Sequence, residues 1–506
     1  MLRLSTLLLA RSCVFSASAF AVTPVAAPEV RTDHGAVRGQ WQDEGRTTAA
    51  QCFVQFSLPR RRWVRCAGAP AADCAMGASA RRHPAATPCV QPALGWNNAM
   101  AKRGIEECLC VEVQTPKPHP AEPLPVFAWI HSGANVAGSA DGHLPTNLVA
   151  QNMLVVTLQY RLGALGFLSL PELSDGDNEA AGNVALLDQI AALRWVHDNI
   201  AQFGGDPARV TIAGQSAGGQ DVGLLMLSPL ARGLFSAAIE QRGTASVGLP
   251  ARSLEDNRAV DVSIAKRTGI DNPAARLQPL RALPAERLLK AAQGVDVPAL
   301  DDDGYIWLQA VVDGRVLPRA PAELLAAGAQ AKVPLLIGLC GAGTALRRRG
   351  GCREAGASRL SRPRRRHPAH ASRRHRAARR AAMQCNASMQ LSTDLTFRCP
   401  AVTVAQRQAA LGVPVWHSVF DTAVPCGQVT QSAELPFLFK NLPIGQPPVF
   451  LPRYWAAFVQ HSNPHAKGLP AWPAFAPTHA GLQFDARGVH QIKDVRPGAC
   501  AHLDLP

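Results

Sequence analysis

Gly214-Gln215-Ser216-Ala217-Gly218 constrains this chain more than any other stretch. The apolar run Val210-Thr211-Ile212-Ala213 precedes it, and Val222-Gly223-Leu224-Leu225-Met226-Leu227 follows in a helix-like pattern. Strand, tight turn and helix in that order are the setting in which a serine is held out at a sharp bend. The flanking glycines allow the backbone to turn that tightly. The helix start and the N–H of the residue after the serine then face any oxyanion that forms. Ser216 is therefore a candidate nucleophile, and the turn that carries it needs a sheet behind it.

Other segments supply that sheet. Short apolar runs at 126–130, 153–158, 333–337 and 413–419 are bounded by turn residues and read as buried strands. Between the second of these and the run at 210–213, residues 183–203 place Leu186, Ile190, Leu193, Ile200 and Phe203 on one helical face. The alternation predicts an α/β fold, a doubly wound, mostly parallel sheet flanked by helices. No uninterrupted apolar run reaches the roughly 18 residues of a membrane span, so none is expected.

Several segments carry a more specific likeness. They are Leu124-Pro125-Val126-Phe127-Ala128-Trp129-Ile130-His131-Ser132-Gly133, Gln159-Tyr160-Arg161-Leu162-Gly163, Gly182-Asn183-Val184-Ala185-Leu186-Leu187-Asp188-Gln189 and Phe203-Gly204-Gly205-Asp206-Pro207. In order and spacing, together with the Ser216 turn, they resemble the type-B carboxylesterase and cholinesterase family. The resemblance implies a single α/β-hydrolase unit over 28–500, a small-molecule carboxylic ester as substrate, and no cofactor. It implies an oxyanion hole from the N–H groups of Gly133, Ala134 and Ala217, because His131-Ser132-Gly133-Ala134-Asn135 matches the family's His-Gly-Gly-Gly loop. It also implies a disulfide between Cys89 and Cys108 and a pairing of Arg161 with Asp188. His131 is structural at that position, not the base.

The chain departs from the family where the serine's chemistry needs help. The stretch Glu434-Leu435-Pro436-Phe437-Leu438-Phe439 matches well, but three residues before Glu434, where the family has its histidine, stands Gln431. Glutamine has no titratable site near neutral pH and cannot take a proton from serine. The family's acid follows the strand matched by 333–338; here Ala342-Gly343 occupies that place. Glu354 is the next acid downstream, in a stretch without a structural pattern, and His417, His461 and His465 do not sit where a base belongs. Two functions follow: an ester hydrolase whose turnover is impaired, or an inactive hydrolase-fold protein that binds a partner or ligand.

Composition isolates two anomalous windows. Residues 347–380 hold 14 arginines and one acid, Glu354, and so carry +13 of the chain's net +15. The high pI therefore says nothing about the rest of the protein. Aromatic residues for stacking on bases are missing from the segment, so nucleic acid is not expected as a partner. Strong self-repulsion and no apolar face predict disorder over 347–382. Residues 52–89 share the bias toward Arg, Ala, Gly and Pro, which is what GC-rich coding DNA yields out of frame. Two such windows between matching flanks suggest compensated frameshifts, from a decayed gene or a flawed sequence. The first removes the arginine partner the resemblance implies for Glu106, leaving a buried, unpaired charge as the expectation.

The N-terminus, with Arg3, the apolar residues Leu7-Leu8-Leu9-Ala10 and a small-x-small site at Ala19-Phe20-Ala21, reads as a signal peptide over 1–21. Secretion or export to a periplasm follows as the expectation. Thirteen cysteines, an odd number, fit an oxidising compartment in part. None has metal-ligand spacing, so no metal is expected, and Cys108-Leu109-Cys110 reads as strand alternation. Oligomeric state is not indicated.

Overall fold

A computed structural model describes residues 29–43, 48–54, 87–140, 146–170, 182–245, 252–293, 310–340, 393–421, 434–439, 450–493 and Cys500, apart from residues 34, 274 and 486. The segments 1–21 and 347–382, Gln431 and Ala342 lie outside the described residues.

Near the start, β1 (Glu29–Thr32) and β2 (Gly35–Arg38) form an antiparallel hairpin. The main sheet then begins with β3 (Gln40–Asp43), β4 (Thr48–Val54), β5 (Val111–Thr115), β6 (Leu124–Ile130), β7 (Leu154–Leu158), β8 (Gly205–Gln215) and β9 (Ala237–Gln241). A two-residue parallel pair, β10 (Arg252–Ser253) and β11 (Val311–Val312), stands apart from it. The sheet resumes with β12 (Leu335–Cys340), β13 (Val415–Asp421), β14 (Gly481–Asp485) and β15 (Gly488–Ile492). Its eleven strands run in the order β15-β14-β13-β12-β9-β8-β6-β7-β5-β4-β3. The seven from β14 to β7 are parallel throughout, and the antiparallel pairings lie at the two margins.

Near-continuous apolar strands mean that both faces are covered. On β6, Val126, Ala128 and Ile130 join one core and Phe127 and Trp129 the other; on β13, Val415 and Val419 oppose Trp416 and Phe420. The first core is closed by the helices Val184–Asn199 and Ala217–Leu227. The helix Leu451–His461 closes the second, burying Tyr454, Trp455 and Phe458. Within the second core Trp129 meets Phe439 at a tilt, with ring centroids 4.7 Å apart. Truncating such a residue to alanine costs about 3–5 kcal/mol.

Several local features differ from the sequence-based expectation. The window at 52–89 does not begin outside the fold: Cys52, Phe53 and Val54 finish β4, in register with Val113, Glu112 and Val111. Cys108-Leu109-Cys110 is not strand; β5 starts only at Val111, because Cys108 is drawn into a disulfide with Cys89. Glu106 is half-exposed, not buried, so it escapes the desolvation that an interior charge would suffer.

Candidate active site

Ser216 follows the last residue of β8 and precedes the helix Ala217–Leu227. Its backbone sits at φ 56° and ψ −123°, a conformation that costs a non-glycine residue on the order of 1–3 kcal/mol. The surroundings hold it there. The Ser216 N–H donates to Gln241 O at 2.8 Å, continuing the β8–β9 ladder, and Gln220 N–H donates to Ser216 O at 2.9 Å. Two glycines are fixed by contact: a Cβ on Gly218 would fall 2.2 Å from Ile130 O, and one on Gly243 would fall 1.9 Å from Ser216 O. Gly218 therefore seats the turn directly on the end of β6, where the loop from His131 begins.

That loop is held in an unusual shape. Gly133, Ala134 and Asn135 have φ of 119°, 56° and 57°, three left-handed residues in succession. Alanine enters this region at about 1–2 kcal/mol, whereas asparagine tolerates it. A Cβ on Gly133 would overlap Ala137 O, and both Val136 and Ala137 donate their N–H to Gly133 O. Among the described residues, the N–H groups of Gly133, Ala134 and Ala217 donate to no backbone carbonyl. His131 is fully buried and stacked on Tyr160 at 4.3 Å, with Nδ1 2.9 Å from Ser132 O.

Two side-chain networks brace the loop, and neither was anticipated from sequence. Gln91 accepts from Gly138 N–H and donates to Gly138 O, both at 2.9 Å; Asn97 holds it by a 2.9 Å bond from Nδ2. The Cys89–Cys108 loop is thereby fastened to the loop beside Ser216. On the other side, Asn135 Nδ2 donates to Asp221 Oδ1 at 3.0 Å, and Gln189 Nε2 donates to Asp221 Oδ2 at 2.7 Å. Tyr160 Oη donates to His131 O at 2.6 Å. Burial lifts the Asp221 carboxyl to about 6 against the pull of its two amide donors, and burial beside Asp221 raises Tyr160 well above its ordinary value. The signal in the sequence was an acid one turn into an otherwise apolar helix.

Arg161 grips Asp188 through Nε at 2.7 Å and Nη2 at 2.5 Å, a bidentate pair with little exposure on either side chain. Asn199 and Asp206 are occupied in turns: Asn199 accepts from Asp33 N–H, and Asp206 accepts from Ala208 N–H and Arg209. His417 is buried in β13 and Glu434 in the turn before Leu435–Phe439. No cluster of metal-ligating side chains occurs among the described residues. A second disulfide joins Cys399 to Cys500.

A mostly parallel sheet with a strained serine between strand and helix, seated through Gly218 on the end of the strand where the His131 loop begins, is the arrangement of the α/β-hydrolase fold. Comparison makes this particular. Residues 26–494 match the carboxylesterase family, and the chain belongs to it. It is 34% identical over 422 residues to the acylcarnitine hydrolase of Mus musculus, covering 75% of this chain and 72% of that one. It is 32% identical over 422 residues to the para-nitrobenzyl esterase of Bacillus subtilis (strain 168), covering 76% and 81%. Among solved structures, the carboxylesterase EST55 of Geobacillus stearothermophilus at pH 6.2 superposes with a TM-score of 0.68 at 27% identity, over 94% of this chain and 99% of that one.

Proposed function

We propose that the protein hydrolyses small carboxylic esters through Ser216, within one unit spanning 28–500. The observation that supports this reading is the strained turn at Ser216, which closes through Gly218 on the end of β6 where the left-handed loop 133–135 begins; the N–H groups of Gly133, Ala134 and Ala217, which donate to no backbone carbonyl among the described residues, are read as the oxyanion donors. Ser216 Oγ attacks the ester carbonyl, and these amides receive the negative charge that develops on its oxygen. The alkoxy group leaves with a proton as the alcohol. Water then cleaves the acyl-serine to the acid and restores the hydroxyl.

With Gln431 and Ala342 at the histidine and acid positions, the serine proton passes to water without a base. Loss of triad members costs about 10⁴ to 10⁶ in turnover, and the remainder is catalysis by the oxyanion hole. Hydrolysis of a short-chain aryl ester, with Ser216→Ala as control, tests this. A slow rate lost in the variant supports it; equal rates refute it. The disulfides Cys89–Cys108 and Cys399–Cys500 favour export to an oxidising compartment, and among the described residues no helix is long and apolar enough to cross a membrane.

A second reading draws on the same two substitutions. A hydrolase fold without base or acid binds a ligand in its old cleft and releases it unchanged. Equal negligible rates for the protein and Ser216→Ala, together with saturable binding of an unhydrolysed ester, would favour it.

A further inference from the structure

We propose that Asp221 is the positioning residue of the oxyanion loop, holding the amides of Gly133 and Ala134 in place through Asn135. This rests on the reading that those amides receive the oxyanion. The carboxylate is fully buried on the helix that begins at Ser216's neighbour, and it spends both oxygens on two amides from different elements. One is Gln189 on the helix Val184–Asn199, a rigid support. The other is Asn135, next to the donors themselves. A bond to a charged acceptor is roughly twice as strong as a neutral one.

The loop needs such a hold. Ala134 and Asn135 are consecutive left-handed residues, and a conformation of that kind persists only when its surroundings over-determine it. Asn135 is fixed at three atoms: Nδ2 by Asp221, O by Gly163 N–H at 2.7 Å, and Oδ1 by a long 3.4 Å contact from Tyr160 Oη. The backbone contact alone does not join the loop to the serine helix; the Asp221 bond does. One carboxylate thus links the element that carries the nucleophile to the element that carries two of its three oxyanion donors.

Charged or titratable groups stand on each element around the Asp221 helix. Tyr160 stands after β7 and His131, stacked on it, after β6. The helix Val184–Asn199 brings Asp188, already bound to Arg161. From β9, Glu240 packs beside Gly223, and the Glu323 of the helix Pro321–Ala326 is turned to solvent. The titratable pair on β8, Asp206 and Arg209, lies at that strand's opposite end. None of these donates to Asp221, so its charge is carried by the two amides.

Two measurements on the full chain test the proposal. The first is amide hydrogen exchange of residues 131–138 across pH 5–8, corrected for intrinsic rates. The second is the rate of Ser216 modification by an aryl phosphonyl fluoride, followed by intact mass. There the P–F bond breaks as Oγ–P forms, and the proton and fluoride go to solvent. Asn135→Gly keeps the left-handed backbone but loses the tie. It should exchange and react at rates altered by about tenfold or more, faster for exchange and slower for labelling. In Asp221→Asn a turn of the Gln189 amide restores two neutral bonds, so folding is kept while the wild-type inflection near pH 6 disappears from both profiles. Wild-type exchange, labelling and pH profile in both variants would overturn the proposal. If the unmodified protein reacts no faster than Ser216→Ala, while exchange still responds to Asn135→Gly, the ester chemistry fails and the positioning role stands.

Discussion

The guanidinium of Arg242 lies 4.9 Å above the ring of Phe397, almost wholly buried, one residue beyond the carbonyl that receives the Ser216 N–H. Among the described residues its Nε, Nη1 and Nη2 have no hydrogen-bond partner, and neither do the two carboxylate oxygens of Glu240 on the strand before it. The ring contact returns about 2 kcal/mol at most. An unpaired buried charge costs on the order of 3–5 kcal/mol. Arg242→Leu is therefore expected to raise stability by about 1–3 kcal/mol, read from the urea midpoint at unchanged slope. A lower midpoint would show that the cation has a partner it needs.

His417 is buried with no hydrogen bond to either ring nitrogen among the described residues, and burial together with the nearby Arg398 guanidinium pushes it down to about 3. The folded state holds this ring neutral while the unfolded chain protonates it near 6.5. Its contribution is thus fully present above about pH 6.5 and is lost as pH falls toward 3. His417→Leu should flatten the acid limb of a stability–pH curve. Asp221 acts in the opposite sense. Its carboxyl is raised to about 6, so its contribution is present below about pH 4 and declines as pH rises through 6. Asp221→Asn should remove that decline. Calorimetric Tm measured from pH 4 to 8 separates the two variants by the sign of their effect.

Gly218→Ala places a methyl 2.2 Å from Ile130 O, a backbone atom that cannot swing aside. The turn must shift, at a cost of about 1–3 kcal/mol, and Ser216 moves with it. Labelling of Ser216 should fall far more than the melting temperature does. Retained labelling would mean that the β6 end and the turn are not locked together.

Gln431→His alone should raise ester turnover by less than about tenfold, because nothing at Ala342 orients the imidazole or balances its charge. The double change Gln431→His with Ala342→Glu should exceed it by at least about tenfold. Full activity from the single change would reveal another carboxylate acting in the acid's place.

The sequence made the scaffold readable because most of its strands are short apolar runs bounded by turn residues. Strand boundaries moved by up to three residues except in β8, which begins at Gly205 and is far longer than the run at 210–213. The nucleophile turn was readable because neighbours in sequence fix its geometry, whereas the Arg161–Asp188 pair, 27 residues apart, was legible only through the family resemblance. What escaped was long-range and polar. Asp221 meets Asn135 across 86 residues and Gln91 meets Gly138 across 47, and no local pattern announces such partners. Thirteen cysteines leave the partner of Cys399 undetermined from sequence.

The bond between Cys399 and Cys500 spans 101 positions of sequence and encloses β13, β14 and β15. A protease that cut the backbone once anywhere inside that span would not release a fragment. Both pieces would stay joined through sulfur, and three margin strands would keep their places beside β12. Such a nicked protein would run as one band without reductant and as two with it, so its integrity on a non-reducing gel says nothing about whether the chain is whole.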